Sequence, residues 1–309
     1  MKTALYTVTY SGLFYKGGPL TLEQIFTRAA AMGFDGIAIG AKRPVALPMD
    51  LDAGQRKAVQ QLSARHGLEI GCVESYSNLA SPVMEQREAQ LTLLHETVRL
   101  AHDIEAPLVK VFAAWPGVTL RNGQACYELA ASYKWHDVTA LEQWHWVRDS
   151  LHEVVRWAEQ YGVRLALQNH RPVTNTYRDV LAMIKEIDSP WLNACIDAPH
   201  LEDQTDEGIR QALQETGKLQ VWTHFGGYEE TADHRVLAST GDRDVAVNYP
   251  AFFRGLQEIG YEGFVAYEGC GPALVGHDFH GLDEVDRRAK LALAYMKRQI
   301  AQATSQATA

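Results

Sequence analysis

The chain predicts a single α/β domain of the (β/α)8 class, a TIM barrel over residues 1–300, and three observations carry that expectation. Eight short apolar runs alternate with amphipathic segments about one βα unit apart, and strict alternation implies parallel pairing with right-handed crossovers. The runs are rich in Val, Ile, Leu and aromatic residues with few interior charges, as strands covered on both faces are. No GxGxxG follows the first run, which places a doubly wound open sheet second.

In chain order, the strands are predicted at ALYTVTY (4–10), GIAIG (36–40), LEIGCVES (68–75), LVKVFAAW (108–115), RLALQN (164–169), NACID (193–197), QVWTHF (220–225) and FVAYE (264–268). The first helix is announced by Thr21 and Gln24, a capping-box pair ahead of apolar Ile25, Ala29 and Met32. Residues 84–104, 142–161, 176–187 and 282–300 also carry apolar positions at three and four spacing. Residues 301–309 hold no apolar side chain larger than Ala and are expected to fray.

Two connections are long, 116–141 after the fourth strand and 226–249 after the seventh, and both fall on the face where such barrels do chemistry. The first carries Arg121, Tyr127, Tyr133, Lys134, Trp135 and His136. That mixture suits a hydroxylated ligand or, equally, a surface excursion that packs its own aromatics.

Composition narrows the partners. Hydrophobic content of 46% with 22% charged residues is ordinary for a soluble globular enzyme. A net charge of −9 and no Lys/Arg run longer than two argue against nucleic acid. The first residues are too polar for a signal-peptide core, and no 18-residue apolar stretch offers a membrane span. Cys72, Cys126, Cys195 and Cys270 show no CxxC spacing, and Cys72 and Cys195 lie within predicted strands, where a small buried thiol is the ordinary reading. A reducing cytoplasm is the expected setting, and a homo-oligomer stays open.

Four of the last strands end in a metal donor: Gln168 in LALQNH, Asp197 in ACIDAPH, His224 in VWTHFGG and Glu268 in VAYEGCG. A residue at the C-terminal end of a barrel strand points into the mouth, and four oxygen or nitrogen donors converging there suit a divalent cation. Each has a plainer alternative. Asp197 would cap a turn, and His224 would be a core histidine beside Trp222 and Phe225. Glu268 in an apolar strand is costly to bury without a cation. Glu74 ends the third strand and is a candidate second base or hydroxyl acceptor, unless it pairs with a Lys or Arg of a neighbouring loop. Trp115, His170 and Arg235 are candidate substrate contacts, and Arg243 shares the loop of Arg235. His277 and His280 read as a solvated loop pair.

GFDGIAI, LALQNH, CIDAPH, THFGG and GYEGFVAYEG, in this order and nearly one per strand end, resemble the xylose isomerase-like barrel superfamily, the sugar phosphate isomerase/epimerase and endonuclease IV group. The resemblance covers nearly the whole chain. It implies one divalent ion, manganese first with magnesium, cobalt or zinc as alternatives, held at the positions of Gln168, Asp197, His224 and Glu268. It implies that His200 of the DxxH pattern contacts a small carbohydrate and that His170 lies beside the first ligand. The expected activity is isomerase or epimerase chemistry on a keto-sugar or polyol through a metal-stabilised enediolate, with Glu268 moving the proton.

Gln168 departs from the Glu of the family's epimerases. The ligands then sum to neutral with a dication, and only Glu268 remains as a ligating base. One-sided proton removal suits isomerisation, β-elimination or keto-sugar cleavage, so a lyase, a dehydratase or a 3-keto-glycoside deglycosidase with the same metal site is the nearest alternative. An endonuclease IV-like phosphodiesterase is remote, because the second and third strands lack its histidines and the charge disfavours DNA. A barrel that has lost metal and catalysis through Gln168 is the third class.

Overall fold

Period-two alternation decides what faces the barrel axis and what faces the helices. In the computed structural model, which describes residues 1–121, 124–127, 137–239 and 244–307, eight parallel strands close into a barrel. They are β1 (Lys2–Tyr6), β2 (Gly36–Gly40), β3 (Glu69–Glu74), β4 (Leu108–Val111), β5 (Arg164–Gln168), β6 (Leu192–Cys195), β7 (Gln220–Gly226) and β8 (Phe264–Glu268), with β8 pairing back onto β1. Around them lie α1 (Leu22–Met32), α2 (Ala53–His66), α3 (Met84–Asp103), α4 (Ala140–Tyr161), α5 (Tyr177–Ile187), α6 (Asp206–Thr216), α7 (Tyr249–Glu258) and α8 (Leu282–Ala307). Among the described residues no helix is long and apolar enough to cross a membrane.

Outward-facing Leu5, Ile37, Val73, Val109, Leu165, Leu167 and Val265 join the helices in the larger core. Inward-facing residues are small, Ala4, Ala38, Cys72, Ala166, Cys195 and Ala266, and they surround Trp222 and Phe264. A Cβ at Gly71 would stand 2.9 Å from both rings, so β3 needs glycine there for the interior to hold them. The helices begin where the sequence supplies caps. Thr21 with Gln24, Asp52 with Gln55, Thr139 with Glu142 and Thr176 with Asp179 each close a reciprocal capping box.

Two strands are shorter than their apolar runs because hydroxyls replace the ladder. β1 ends at Tyr6, and residues 7–10 tighten into a 3-10 turn in which Thr7 Oγ1 accepts from the Gly40 amide and Thr9 Oγ1 from the Gly269 amide. β4 ends at Val111, where Ser77 Oγ accepts from the Phe112 amide and donates to the Phe112 carbonyl. The end of the chain departs the other way. α8 continues to Ala307 past the expected fraying at 301, because alanine is the best helix former and Ala303 is buried against the core.

The long connections fold into small hairpins over the C-terminal face: Thr119–Arg121 with Gln124–Cys126, and Val236–Ser239 with Asp244–Val247. Tyr133, Lys134, Trp135, His136 and Arg243 fall outside the described residues. After β8 the chain is anchored by Arg288, whose guanidinium donates to the Pro272 and Leu274 carbonyls and pairs with Glu284 at 2.7 Å. The hydrogen bonds from Arg287 and Arg288 outweigh burial and hold Glu284 down at about 2. A depressed carboxylate stabilises the fold above its unfolded pKa and loses that contribution as pH falls through the folded value. Glu284→Gln is therefore expected to cost about 2 kcal/mol at pH 7, and the gap from wild type in urea midpoint should narrow as pH falls from about 5 towards 3. A gap that does not change with pH would show that the carboxylate charge is not what anchors the loop.

Candidate metal and catalytic site

The same inward parity that places small residues low in the barrel places polar ones at its top. Glu74 of β3, Lys110 of β4, Gln168 of β5, Asp197 just past β6, His224 of β7 and Glu268 of β8 all occupy inward positions at the C-terminal rim. Five of them form one connected chain. Lys110 Nζ lies 3.2 Å from Glu74 Oε2 and 3.3 Å from the Phe112 ring centroid. Glu74 Oε1 accepts from His224 Nε2 and Trp222 Nε1, both at 2.9 Å. On its other side His224 Nδ1 donates to Asp197 Oδ2 at 2.9 Å, and Gln168 Nε2 donates to the same oxygen at 2.5 Å. Asp197 Oδ1 accepts from the His224 amide at 2.7 Å and Thr223 Oγ1 at 3.0 Å.

Both ring nitrogens of His224 thus donate, so the ring is an imidazolium. Burial pushes its pKa down, but the Glu74 and Asp197 carboxylates outweigh burial and hold it well above the usual value. Burial pushes Glu74 and Asp197 upward. Against it, His224 and Lys110 hold Glu74 below its ordinary value, and His224 does the same for Asp197. Two cations and two carboxylates, each at most 3% exposed, therefore balance in a dry interior, where a lone charge would be costly. Glu74 is enclosed, with Oε1 hydrogen-bonded and Oε2 in the ion pair with Lys110 but without a hydrogen bond, which matches the salt-bridge alternative of its sequence reading. Its partner Lys110 is on the neighbouring strand and not in a loop.

Glu268 stands apart. It is partly exposed at the mouth and, among the described residues, makes no hydrogen bond or ion pair. Burial raises its pKa, with Glu74 and Asp197 adding to the shift and His224 and Lys110 opposing it.

The donor set fits a divalent ion. Gln168 Oε1 is buried with no partner. The amide cannot be turned over to satisfy it, because that would set two oxygens 2.5 Å apart at Asp197. Its lone pairs are therefore left for a cation. Gln168 Oε1, an Asp197 oxygen and the His224 imidazole are donors of the kind that suits manganese, cobalt, zinc or magnesium, with His224 giving up a proton on ligation, whereas Glu268 is not among the donor atoms that lie within 4.8 Å of one another. Cys195, Asp197 and His224 offer donor atoms within 4.8 Å of one another. Without an ion, burial and then Asp197 raise the Cys195 pKa, and its thiol contacts Asp197 Oδ1 at 3.6 Å.

Beside the charged chain stands an aromatic wall. Phe112 stacks on Trp115 at 5.1 Å, Trp115 meets His170 edge-on at 5.0 Å, and His170 meets His200 at 4.8 Å. His170 Nδ1 donates to the Arg171 carbonyl at 2.6 Å, and burial with the neighbouring His200 lowers its pKa to about 3. The ring is neutral, and Nε2 keeps its lone pair. Arg235 is not brought here. It pairs with Asp233 at 3.2 Å and donates to the Ala246 carbonyl, which ties it to its own hairpin.

Sequence reasoning missed Lys110 and the Trp222 indole. Lys110 was findable, since a lysine inside the apolar run LVKVF carries the same signal that singled out Glu268.

Two outcomes follow from this chain of contacts. Gln168→Glu opposes two carboxylates where an amide now donates. It should lower the melting temperature in EDTA by several degrees, about 1–3 kcal/mol, and enlarge the rise on adding manganese. An unchanged melting temperature in EDTA would mean that the amide does not hold Asp197. Lys110→Met leaves Glu74 without one of its cations and should cost about 3–5 kcal/mol. Lys110→Met combined with Glu74→Gln restores charge balance and should be more stable than the sum of the single losses by at least about 1 kcal/mol. Simple additivity in urea denaturation would rule out the charge-balance account.

Comparison with known proteins agrees with this architecture. A fructoselysine 3-epimerase of Shigella flexneri is 23% identical over 279 residues, covering 87% of this chain and 90% of that protein. The structure of a D-psicose 3-epimerase of Clostridium cellulolyticum H10 with D-tagatose superposes with a TM-score of 0.72 at 17% identity, covering 97% of this chain and 99% of the other. An IOLI protein solved with a zinc atom superposes at 0.70 and 18% identity, covering 98% and 99%. At such identities the structural likeness speaks for the fold. The family assignment rests on residues 26–299, which match the xylose isomerase-like TIM barrel family, and the chain belongs to that family.

Proposed function

We propose that the protein is a divalent-metal-dependent isomerase of the sugar epimerase type, acting at the carbon beside the ketone of a keto-sugar. The observation that carries this reading is Glu268, a carboxylate at the barrel mouth with no partner among the described residues and with its pKa raised by burial, beside four residues already locked in mutual hydrogen bonds. The names of the relatives support the substrate class, since they act on fructoselysine and D-psicose as 3-epimerases.

A divalent ion held by Gln168 Oε1, Asp197, His224 and Glu268, with manganese the first candidate, would supply positive charge beside the ketone oxygen and so acidify the adjacent C–H. Glu268 takes that proton; a carboxylate pKa raised towards neutrality is suited to general-base work. His170 Nε2, a bare acceptor, receives a sugar hydroxyl. Trp115, backed by the buried Phe112 ring, presents an aromatic face to the C–H side of the sugar and keeps water from the reacting carbon. His200, packed against His170, holds that ring in place and closes the same wall.

Gln168 favours a second reading. A side-chain amide cannot carry the proton that epimerisation returns to the opposite face. Removal of a proton on one face alone suffices for elimination or cleavage of a 3-keto-glycoside. The resulting enolate forms the enone by breaking the C–O bond one carbon further on, and the departing oxygen takes up a proton to leave as an alcohol or water.

The two readings separate in one experiment. With manganese present, ketohexoses and 3-keto-glycosides are incubated in D2O and followed by NMR and ultraviolet absorbance. Epimerase chemistry replaces the proton beside the ketone with deuterium and yields the epimer, whereas elimination yields an enone absorbance. Glu268→Gln should slow either process by about 10²–10⁴-fold. No exchange and no enone with any keto-sugar would reject both readings.

A further inference from the structure

A cavity of about 350 Å³ lies beside the aromatic wall, lined by Lys42, Tyr76, Asn78, Gln90, Trp115 and residues 116–118. Among the described residues its lining contains no acidic side chain, in a chain whose net charge is −9. Lys42 is half-buried. Among the described residues its ammonium has no carboxylate partner and sits 4.4 Å over the Tyr76 ring. The two amides are oriented by the protein itself. Asn78 Oδ1 accepts from the Ala80 amide, and Gln90 Oε1 accepts from the Asn78 amide. Both carbonyl oxygens are thereby occupied, and among the described residues both NH2 groups remain as donors without an acceptor. The Tyr76 hydroxyl is engaged with Tyr6 at 2.5 Å.

The wall of this cavity is therefore rich in donors and poor in acceptors, with one uncompensated cation. Trp115 belongs to both the cavity and the sugar wall, and Tyr76 stands between the cavity and Tyr6 at the barrel axis. We propose that this cavity is a subsite for an anionic group, a carboxylate or a phosphate, at the far end of a keto-sugar whose ketone lies in the barrel mouth. The inference rests on the keto-sugar reading above and narrows its substrate class to acidic keto-sugars. An anion would take hydrogen bonds from Lys42, Asn78 and Gln90 together, the multidentate arrangement in which charge-assisted bonds are strongest. It would also relieve the ammonium, whose pKa is lowered by burial and by Lys110.

The test compares D-tagatose, D-tagatose 6-phosphate and D-tagaturonate, which share a ketose frame and differ in the charge at its end. Binding to the full chain with manganese is measured by calorimetry, and deuterium exchange is followed in parallel. At least one anionic sugar is expected to bind about tenfold or more tighter than D-tagatose, and the tighter of the two identifies the source of the anion. Lys42→Ala should reduce that preference to about threefold or less, and Lys42→Arg should restore it. In the wild type, raising NaCl from about 50 to about 500 mM should weaken the anions and leave D-tagatose unchanged. Equal binding of all three, a preference that survives Lys42→Ala, or binding of the anions indifferent to salt overturns the subsite. Lys42-dependent anion binding without exchange of any sugar rejects the epimerase reading and leaves the subsite standing. Exchange of D-tagatose without anion preference does the reverse.

Discussion

Glu74 is a carboxylate with no access to solvent, and most of the barrel mouth is arranged around it. A buried carboxylate without cations would take up a proton or unfold the barrel. Here Lys110 from one side and His224 from the other keep it ionised, and Trp222 adds a third contact by spanning the interior. Once His224 is held by Glu74, its second nitrogen is aimed at Asp197, and Asp197 in turn orients Gln168. Gln168 is therefore the far end of a hydrogen-bond chain that starts on β4, crosses the barrel from β3 to β7 and returns through Asp197 to β5, the strand beside β4. Networks of this kind couple their members, so Lys110 is linked to Gln168 through three side chains, Glu74, His224 and Asp197.

The arrangement also explains why a neutral residue is tolerated at 168. With an imidazolium between two carboxylates and an ammonium behind one of them, the cluster is already balanced before any ion is bound. A fifth ionised group at 168 would have to be compensated by metal alone. Gln168 donates to Asp197 and keeps one buried oxygen without a partner. Among the described residues Glu268 stays outside the chain of bonds.

Much of this was legible along the chain, and the reason is periodicity. Strands buried on both faces show as apolar runs, and capping boxes such as Thr21 with Gln24 mark where helices begin. Gln168, Asp197, His224 and Glu268 stood out because polar residues at the ends of apolar runs are costly unless something binds them. Strand ends were misjudged where hydroxyls replaced backbone partners, at Thr7 and Ser77, since an apolar run does not reveal a side chain that terminates its ladder. Arg235 looked like a substrate contact because of its loop, yet Asp233, two residues before it, holds its guanidinium within the hairpin.

By itself, the sequence determined the barrel, the strand that bears each donor, and the departure at Gln168, because each of these is a matter of local pattern and residue type. Tertiary structure alone decided which charges neutralise one another. Glu74 and His224 are 150 residues apart in sequence, and no local pattern states that closure of the barrel sets them in contact. Closure likewise paired Glu74 with Lys110, and it gathered Lys42, Asn78, Gln90 and Trp115 around one cavity. Charge compensation in a low-dielectric interior depends on distances across the barrel, and those exist only once the first and last strands have paired.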